Sequence, residues 1–358
     1  MVDTCISLSV NSTNDRDEGS EDPPAKRTEQ VYDNLVSTIG NTPLIALHRC
    51  FPNVPFNLFA KLEAVNPGGS AKDRSAWGML KHALDTGELH AGGTVIESSS
   101  GNMAIGIAQA CCSLDLHFIC VVDANTTMQH LKILRAYGAE IIVIANPDPV
   151  TGEFLHARLN RVKELMRDRP NAIWLNQYAN EHNTHSHIQT MAEIVRALNG
   201  AVDCVLCPVS TCGTIGGCQE YIRQMRLDVT LVAVDAVGSV IFGGEVHRRL
   251  LPGHGSAIRP PLADYLHTKR IVYVTDEDCV AGCRRLVRTE GILAGASSGG
   301  AVAAITQIWS EIRPKGHCVV ILPDRGERYL DTVYSDSWVR DHFGAIPDIA
   351  APSCGDSK

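Results

Sequence analysis

The chain has 358 residues, of which 44% are hydrophobic and 20% are charged, the composition of an ordinary globular protein. At about 150 residues per domain, this length predicts roughly two domains. The 32 Lys and Arg against 40 Asp and Glu give a net charge of -8. This balance argues against a general binder of nucleic acid or of an anionic membrane surface, because both need a basic excess.

No apolar run reaches the roughly 18 residues of a membrane span, and the first residues lack a basic-then-apolar signal pattern. The 13 cysteines are odd in number, and several lie inside apolar runs: Cys111, Cys112, Cys120 and Cys204. We therefore expect buried thiols in a reducing cytoplasm rather than a disulfide framework.

Polar tails flank the body of the chain. Residues 1–30 contain the polar stretch 11–30, which is nearly free of large apolar side chains, so they are predicted to be mostly disordered. Residues 343–358 are predicted to form a flexible C-terminal tail.

The body alternates short β-rich runs with helical stretches, the pattern of an α/β fold whose mostly parallel sheets are flanked by helices. The predicted strands are 57–62, 94–97, 118–122, 141–144, 204–209, 231–234 and 319–322. The predicted helices are 75–84, 104–113, 129–137, 155–167 and 186–198, with an apolar helix at 301–309. Ligands of open α/β sheets bind at the carboxyl ends of the strands, so the loops there are the place to look for a site.

Two of these loops precede probable helix starts. Residues 66–74 read Asn-Pro-Gly-Gly-Ser-Ala-Lys-Asp-Arg, and Lys72 becomes a nucleophile if desolvation or the helix N-terminus lowers its pKa. A surface lysine paired with Asp73 is the plainer alternative. Residues 97–103, Glu-Ser-Ser-Ser-Gly-Asn-Met, offer donors to an anion, although simple N-capping by Ser99 or Ser100 fits equally well.

Two further loops consist of small residues. Residues 210–217, Ser-Thr-Cys-Gly-Thr-Ile-Gly-Gly, suit phosphate binding by backbone N–H groups, with a tight turn or a dinucleotide-binding turn as alternatives. Residues 295–300, Gly-Ala-Ser-Ser-Gly-Gly, allow either close packing of helix on sheet or a hydroxyl facing a heterocycle nitrogen.

The four loops in this order, together with Ile-Gly-Asn-Thr-Pro-Leu at 39–44, resemble fold-type II pyridoxal-phosphate enzymes of the cysteine synthase and cystathionine β-synthase family. The resemblance spans about 31–342. Three stretches, 176–181, 234–243 and 322–331, are similar to siderophore-pathway synthases of N-(2-amino-2-carboxyethyl)-L-glutamate.

The resemblance implies pyridoxal 5'-phosphate as cofactor and assigns roles residue by residue. Lys72 matches the lysine that binds the cofactor covalently and moves the substrate α-proton. Asn102 matches the partner of the cofactor's phenolic oxygen, and Ser297 the hydroxyl facing the pyridine nitrogen. The phosphate loop is implied to comprise Ser210, Thr211, Cys212, Gly213 and Thr214. The α-carboxylate is implied to bind Ser99, Ser100 and Gln177.

Two departures from the sulfhydrylase pattern favour a larger or more anionic second substrate than sulfide. Met103 stands where sulfhydrylases usually have Thr, and the loop before Pro260 is more basic than usual. Arg158, Arg259 and Tyr178 are therefore candidate contacts to phosphoserine or glutamate, since arginine binds phosphate and carboxylate alike. A helix-surface role is the alternative for Arg158.

The implied activity is a transferase-type β-replacement that joins L-glutamate to O-phospho-L-serine through an aminoacrylate and releases phosphate, for diaminopropionate, siderophore or antibiotic biosynthesis. The alternative is a cysteine synthase using O-acetylserine or O-phosphoserine. A non-catalytic binding protein is disfavoured by Lys72, and an oxidoreductase by the lack of a Gly-x-Gly-x-x-Gly turn.

The resemblance also implies a domain arrangement and an assembly. A large cofactor-binding domain is expected from 31–65 and 180–342, and a smaller mobile substrate domain from 66–179. We expect a cytoplasmic homodimer that binds amino-acid substrates and needs no metal, nucleic acid or membrane.

Overall fold

A computed structural model describes residues 31–349. Residues 1–30, predicted to be disordered, and residues 350–358 of the C-terminal tail predicted at 343–358 lie outside the described residues. The body begins at Asn34, and residues 31–33 before it are exposed. At the other end Ile349 is buried and its carbonyl accepts a hydrogen bond from Arg285 Nη1, so the described chain packs on the core as far as this residue.

Ten strands form the sheets of the described chain. In chain order they are β1 (Leu44–Ala46), β2 (Asn57–Leu62), β3 (Thr94–Ser98), β4 (His117–Asp123), β5 (Glu140–Ile144), β6 (Ala172–Trp174), β7 (Cys204–Pro208), β8 (Thr230–Ala236), β9 (Arg270–Val274) and β10 (His317–Leu322).

Helices connect most of the strands. In chain order they are α1 (Lys72–Asp85), α2 (Asn102–Ser113), α3 (Met128–Ala136), α4 (Phe154–Asp168), α5 (Glu181–His185), α6 (Ile188–Ala197), α7 (Gly213–Met225), α8 (Asp276–Glu290), α9 (Ala296–Ile308) and α10 (Asp336–Phe343).

The strands form two sheets. Six strands pair in the order β1-β2-β10-β7-β8-β9, and four in the order β5-β4-β3-β6. All neighbours are parallel except the β1–β2 pair at one edge. The larger sheet takes its strands from both ends of the body and the smaller sheet from the middle. The predicted α/β class with mostly parallel sheets is confirmed.

Both faces of each sheet are covered, because successive side chains of a strand point to opposite sides. In β7, Cys204 and Leu206 belong to one apolar cluster and Val205 and Cys207 to another. In β3, Val95 and Ile96 separate in the same way. The near-continuous apolar runs of these strands follow from this double burial.

The predicted elements hold, with differences at their ends. The helix predicted over 186–198 is α6, which begins at Ile188 after the chain turns at Ser186 and His187. The apolar helix predicted at 301–309 begins earlier, at Ala296. The elements without a prediction are β1, β6, α5, β9, α8 and α10. A capping box at Thr275 and Asp278 marks the start of α8, a signal present in the sequence.

Within residues 31–349, no helix has both the length and the apolar character that crossing a bilayer requires. The described cysteines are all free, and all but Cys112 are buried, as their apolar neighbours in the sequence predict. The prediction is wrong for Cys112, because successive residues of a helix point in different directions and only Cys111 lies on the buried side of α2.

Candidate active site

Lys72 lies at the first position of α1, behind a turn that Gly69 makes at φ +86°. The turn is fixed to the larger sheet by a hydrogen bond of 2.8 Å from Ala71 N to the Pro323 carbonyl. The side chain lines a cavity together with the loop after β7 and Ser297. Burial lowers the pKa of Lys72, and the negative charge of Asp324 opposes this shift. A lysine with a lowered pKa presents more of its neutral amine, the form that attacks a carbonyl.

The loop between β7 and α7 forms the opposite wall of the cavity. Its lining residues are Ser210, Thr211, Cys212, Gly213 and Thr214. No side chain caps α7, so the N–H groups of its first turn are available to an anion. Cys212 takes a left-handed conformation at φ +68°, which turns the chain sharply into the helix.

Only glycine fits at position 213. A Cβ there would lie 2.1 Å from Asn183 Oδ1, and Asn183 Nδ2 in turn donates to Thr211 Oγ1 at 3.1 Å. The backbone of the loop is therefore held against α5, open on the side of the cavity. Free backbone N–H groups on a glycine-shaped turn could hold a phosphate, the role that the small residues of the loop predict.

Ser297 is the second residue of α9, and its side chain lines the same cavity. The stretch 295–300 is thus mainly the first turn of a helix rather than a loop. Close packing is present, but it is of helix on helix rather than helix on sheet: a Cβ at Gly299 would lie 2.0 Å from the Cys279 carbonyl oxygen of α8. The alternative of a hydroxyl that faces a heterocycle nitrogen stays a prediction for Ser297.

Asn102 begins α2 and lies between charged groups of the segment after β10. Its Nδ2 donates to Asp324 Oδ2 at 2.7 Å, and its Oδ1 accepts from Arg328 Nη1. The amide thereby joins the end of the smaller sheet to the end of the larger one. It is not among the residues that line the cavity around Lys72.

The loop after β3 is organised by the buried carboxylate of Glu97. This carboxylate accepts from Ser98 N at 2.7 Å and from Gln177 N at 3.2 Å, which brings the Gln177 segment beside the serines. Burial raises the pKa of Glu97 to about 7. The Ser99 hydroxyl accepts from Ala104 N at 3.3 Å, so the capping role considered for Ser99 is present.

Arg158 reaches the same loop from α4. Its Nη1 donates to Ser100 Oγ at 3.2 Å, and its Nε lies 3.3 Å from Asp123 Oδ2. The side chain is only 11% exposed, so the alternative of a helix-surface arginine is wrong. Tyr178 lies in the same neighbourhood: burial raises the pKa of its phenol, and the charge of Arg158 opposes this shift.

Arg259 and Met103, the other two residues considered for substrate specificity, have different surroundings from Arg158. Arg259 donates to Asp264 Oδ1 at 3.0 Å and to the Ile241 carbonyl, its side chain is 47% exposed, and it does not line the cavity. Its contact with a substrate stays a prediction. Met103 is buried in the apolar cluster beside the smaller sheet, so its side chain fills core space.

Sequence reasoning missed three buried groups around the site: Glu97, Asp324 and His187. His187 Nε2 contacts Ser75 Oγ at 3.1 Å and Thr214 Oγ1 at 3.3 Å, and burial holds its pKa well below the usual value. It links α1 to the phosphate loop as a neutral ring. Acidic residues at the ends of apolar strands were the available signal for the other two.

Comparison with known proteins identifies the family. Residues 35–324 match the family model described as "Pyridoxal-phosphate dependent enzyme", and the chain belongs to this family. It is an enzyme, and its cofactor is pyridoxal phosphate.

Solved structures of synthases are similar to this chain over most of its length. An O-acetylserine dependent cystathionine β-synthase from Helicobacter pylori is 27% identical, with a TM-score of 0.78, over 86% of this chain and 100% of its own. An O-ureido-L-serine synthase is 28% identical, with a TM-score of 0.79, over 88% and 96%. A hydrogen sulfide-producing enzyme from Fusobacterium nucleatum is 28% identical, with a TM-score of 0.77, over 84% and 100%.

The donor chemistry of the cavity fits pyridoxal phosphate. The cofactor carries an aldehyde, a phosphate and a pyridine nitrogen. The cavity presents a buried amine at Lys72, uncapped helix N–H groups beside Gly213 and a hydroxyl at Ser297. Each group of the cofactor therefore has a partner of suitable chemistry in one cavity.

Proposed function

We propose that this enzyme catalyses a β-replacement in which O-phospho-L-serine and L-glutamate give N-(2-amino-2-carboxyethyl)-L-glutamate and phosphate. The observation that carries the proposal is the Arg158 guanidinium, largely buried and bonded to Ser100. A fixed cation beside the loop proposed for the substrate carboxylate suits substrates with additional negative charge. Sulfide, the second substrate of a cysteine synthase, has no need of it.

Four parts of the site are proposed to hold the cofactor, and one of them also moves protons. The loop 210–214 holds the phosphate, Ser297 faces the pyridine nitrogen, Asn102 donates to the phenolic oxygen, and Lys72 provides the amine. When bound, pyridoxal phosphate withdraws electrons from the α-carbon of the amino acid and so permits loss of a β-substituent. A serine hydroxyl does not keep the pyridine nitrogen protonated as an aspartate would, which favours prompt departure of a β-leaving group.

Lys72 is proposed as the base and acid at the α-carbon of the substrate. Its burial and lowered pKa leave it able to accept the α-proton. The C–O bond at the β-carbon then breaks and phosphate leaves with the electron pair. The glutamate nitrogen forms a bond to the β-carbon and loses a proton, and Lys72 returns a proton to the α-carbon, so that atoms and charges balance.

The substrate is proposed to lie between the loop after β3 and the Gln177 segment. Ser99, Ser100 and Gln177 hold the α-carboxylate, while Arg158 and Tyr178 meet the phosphate or the second amino acid. The hydrogen bonds of Glu97 to Ser98 N and Gln177 N support this assignment, because they keep the two segments together.

Domain arrangement and assembly are part of the proposal. Strands β3 to β6 all fall within 66–179, the stretch proposed as the mobile substrate domain. By resemblance we propose a cytoplasmic homodimer and a role in making diaminopropionate for a siderophore or an antibiotic.

Product analysis tests the proposal. The purified enzyme is given O-phospho-L-serine with equal concentrations of L-glutamate, L-alanine and sulfide, and products are measured by mass spectrometry. We expect the secondary amine derived from glutamate to dominate. If cysteine dominates instead, or if O-acetylserine reacts and phosphoserine does not, the cysteine synthase alternative replaces the proposal.

A further inference from the structure

Asp324 is a buried carboxylate at the carboxyl end of β10 that no role assigned above uses. It is 1% exposed. Its Oδ2 accepts from Asn102 Nδ2 at 2.7 Å and from the Tyr329 hydroxyl at 2.8 Å. Its Oδ1 is buried and has no hydrogen-bond partner. A carboxylate in this position is costly to bury, so the half that lacks a partner calls for an explanation.

The neighbours of Asn102 fix the orientation of its amide. A carboxylate only accepts hydrogen bonds, so Nδ2 faces Asp324, and a guanidinium only donates, so Oδ1 faces Arg328. Arg328 is itself held by a bond of 2.6 Å from Nη2 to the Gly68 carbonyl. One N–H of Asn102 Nδ2 remains for an acceptor elsewhere.

Asp324 also lies beside the turn that carries Lys72, since it forms a β-bridge with Ser70 and Ala71 N donates to the Pro323 carbonyl at 2.8 Å. Burial lowers the pKa of Lys72, and Asp324 is the largest of the charges that oppose this shift. The other titratable groups acting on Lys72 are Glu63, Cys207 and Cys212, and Lys72 in turn acts on His187. Burial raises the pKa of Asp324, and the hydrogen bonds from Asn102 and Tyr329 and the charges of Arg328 and Lys72 oppose this shift. Asp324 in turn acts on Cys283, Tyr329 and Tyr334.

We propose that Asp324 is a positioning residue with two effects: together with Arg328 it clamps Asn102 so that one amide N–H is directed to the cofactor's phenolic oxygen, and it balances the charge of the Lys72 ammonium. This inference rests on the proposed roles of Lys72 and Asn102. It gives a reason for burying this carboxylate although Oδ1 has no hydrogen-bond partner, because the turn that carries Lys72 pairs with Asp324 through Ser70.

The charge effect can be measured on the apoprotein, without catalysis. Wild type and Asp324→Asn are treated with acetic anhydride across a pH series, and acetylation of the Lys72 peptide is followed by mass spectrometry. The asparagine keeps the size of the side chain and one acceptor oxygen but loses the charge. We expect the pH at which Lys72 acetylation is half-maximal to fall by about 1 unit or more, because loss of a nearby opposite charge lowers the pKa of an amine by this amount. Asp331→Asn, at an exposed position of the same segment, is the control and should not shift it.

The clamp is measured by the visible absorbance spectrum of the cofactor-loaded protein and by cofactor dissociation. Arg328→Ala releases Asn102 Oδ1, so we expect a displaced absorbance maximum and up to about tenfold weaker retention, the loss of one net hydrogen bond. Arg325→Ala is the matched control, because Arg325 is exposed and donates to the Ala64 carbonyl instead.

An unchanged Lys72 midpoint in Asp324→Asn overturns the charge effect, and an unchanged spectrum in Arg328→Ala overturns the clamp. The arginine variant still decides the clamp if the aspartate variant fails to fold. Borohydride fixation of the cofactor in wild type separates this inference from the proposed function. If the cofactor is fixed on Lys72 but neither variant changes the Lys72 midpoint or the spectrum, only this inference is rejected. If the cofactor is fixed on another lysine, the proposed active site itself is rejected.

Discussion

The Arg158 guanidinium donates a hydrogen bond from Nη1 to the Ser100 hydroxyl over 3.2 Å, although the two residues are 58 positions apart. It joins α4 to the loop that follows β3, so a cation from one crossover helix reaches the end of a strand in the same sheet. Asp123, 3.3 Å from Nε and at the end of the neighbouring strand β4, keeps the side chain in place. The position of this charge is what distinguishes the proposed substrates.

Arg158→Ala should reduce the preference for glutamate over alanine as acceptor by about ten- to a hundredfold, the value of one charge-assisted hydrogen bond. Release of phosphate from O-phospho-L-serine should persist where Arg158 meets glutamate, whereas its loss would place the guanidinium at the phosphate of the first substrate. The measurement is the ratio of the two secondary-amine products by mass spectrometry, with phosphate release assayed in parallel.

Arg161→Ala is the matched control for Arg158, since it lies on the same helix and pairs with Glu164 at the surface. Arg259→Ala tests the other arginine that was predicted to contact the substrate. Loss of glutamate preference in Arg259→Ala alone would move the acceptor site to the loop before Pro260.

Borohydride should fix the cofactor of the yellow enzyme on the peptide that contains Lys72. Lys61 is the informative competitor, because it is also buried but its Nζ is bound to Glu193 Oε2 and to the Thr42 carbonyl, both at 2.6 Å. Peptide mapping by mass spectrometry gives the result. Label on Lys61 contradicts the assignment, and Lys72→Ala should carry no label.

Ser297→Ala should lower the turnover rate more than the affinity for the cofactor, because the phosphate loop still anchors it. Ser297→Asp should favour a protonated pyridine and change the partition between replacement and side reactions. Cofactor titration and product analysis of both variants provide the comparison. Equal losses of affinity and rate in Ser297→Ala would indicate a structural role at the start of α9.

Glu97 predicts a pH dependence of stability. Its pKa is raised to about 7 by burial from the model-compound value of 4.5, so the folded state holds this proton more tightly than the unfolded state does. The contribution of Glu97 to the free energy of unfolding is therefore present at low pH and is lost as the pH rises through 7. This loss amounts to up to about 3 kcal/mol. Asp73, whose burial also raises its pKa to about 7, acts in the same direction.

The test compares denaturant unfolding of wild type and Glu97→Gln at pH 5 and at pH 8. We expect the variant to lose less stability between these values than wild type does. Glu88→Gln, at an exposed position, should behave as wild type. A variant with the full wild-type pH dependence would show that Glu97 is not the titrating group.

The sequence alone determined the fold class and the chemistry of the loops. Seven of the ten strands in the described chain needed no tertiary information, since their apolar runs, such as 118–122, are typical of strands buried on both faces. Lys72, Asn102 and Ser297 were singled out because each lies in a short local motif, and their roles toward the cofactor stay predictions.

Only the tertiary structure decided which groups act together. Asp324 meets Asn102 across 222 positions, and no periodicity relates the two. Arg158 and Arg259 were both predicted from the sequence to contact the substrate. Arg158 is largely buried beside Ser100, whereas Arg259 forms an ion pair with Asp264 at the surface. The reason is physical: the neighbours of a side chain depend on how strands from distant parts of the chain are ordered in a sheet, and crossover connections place them without any local pattern.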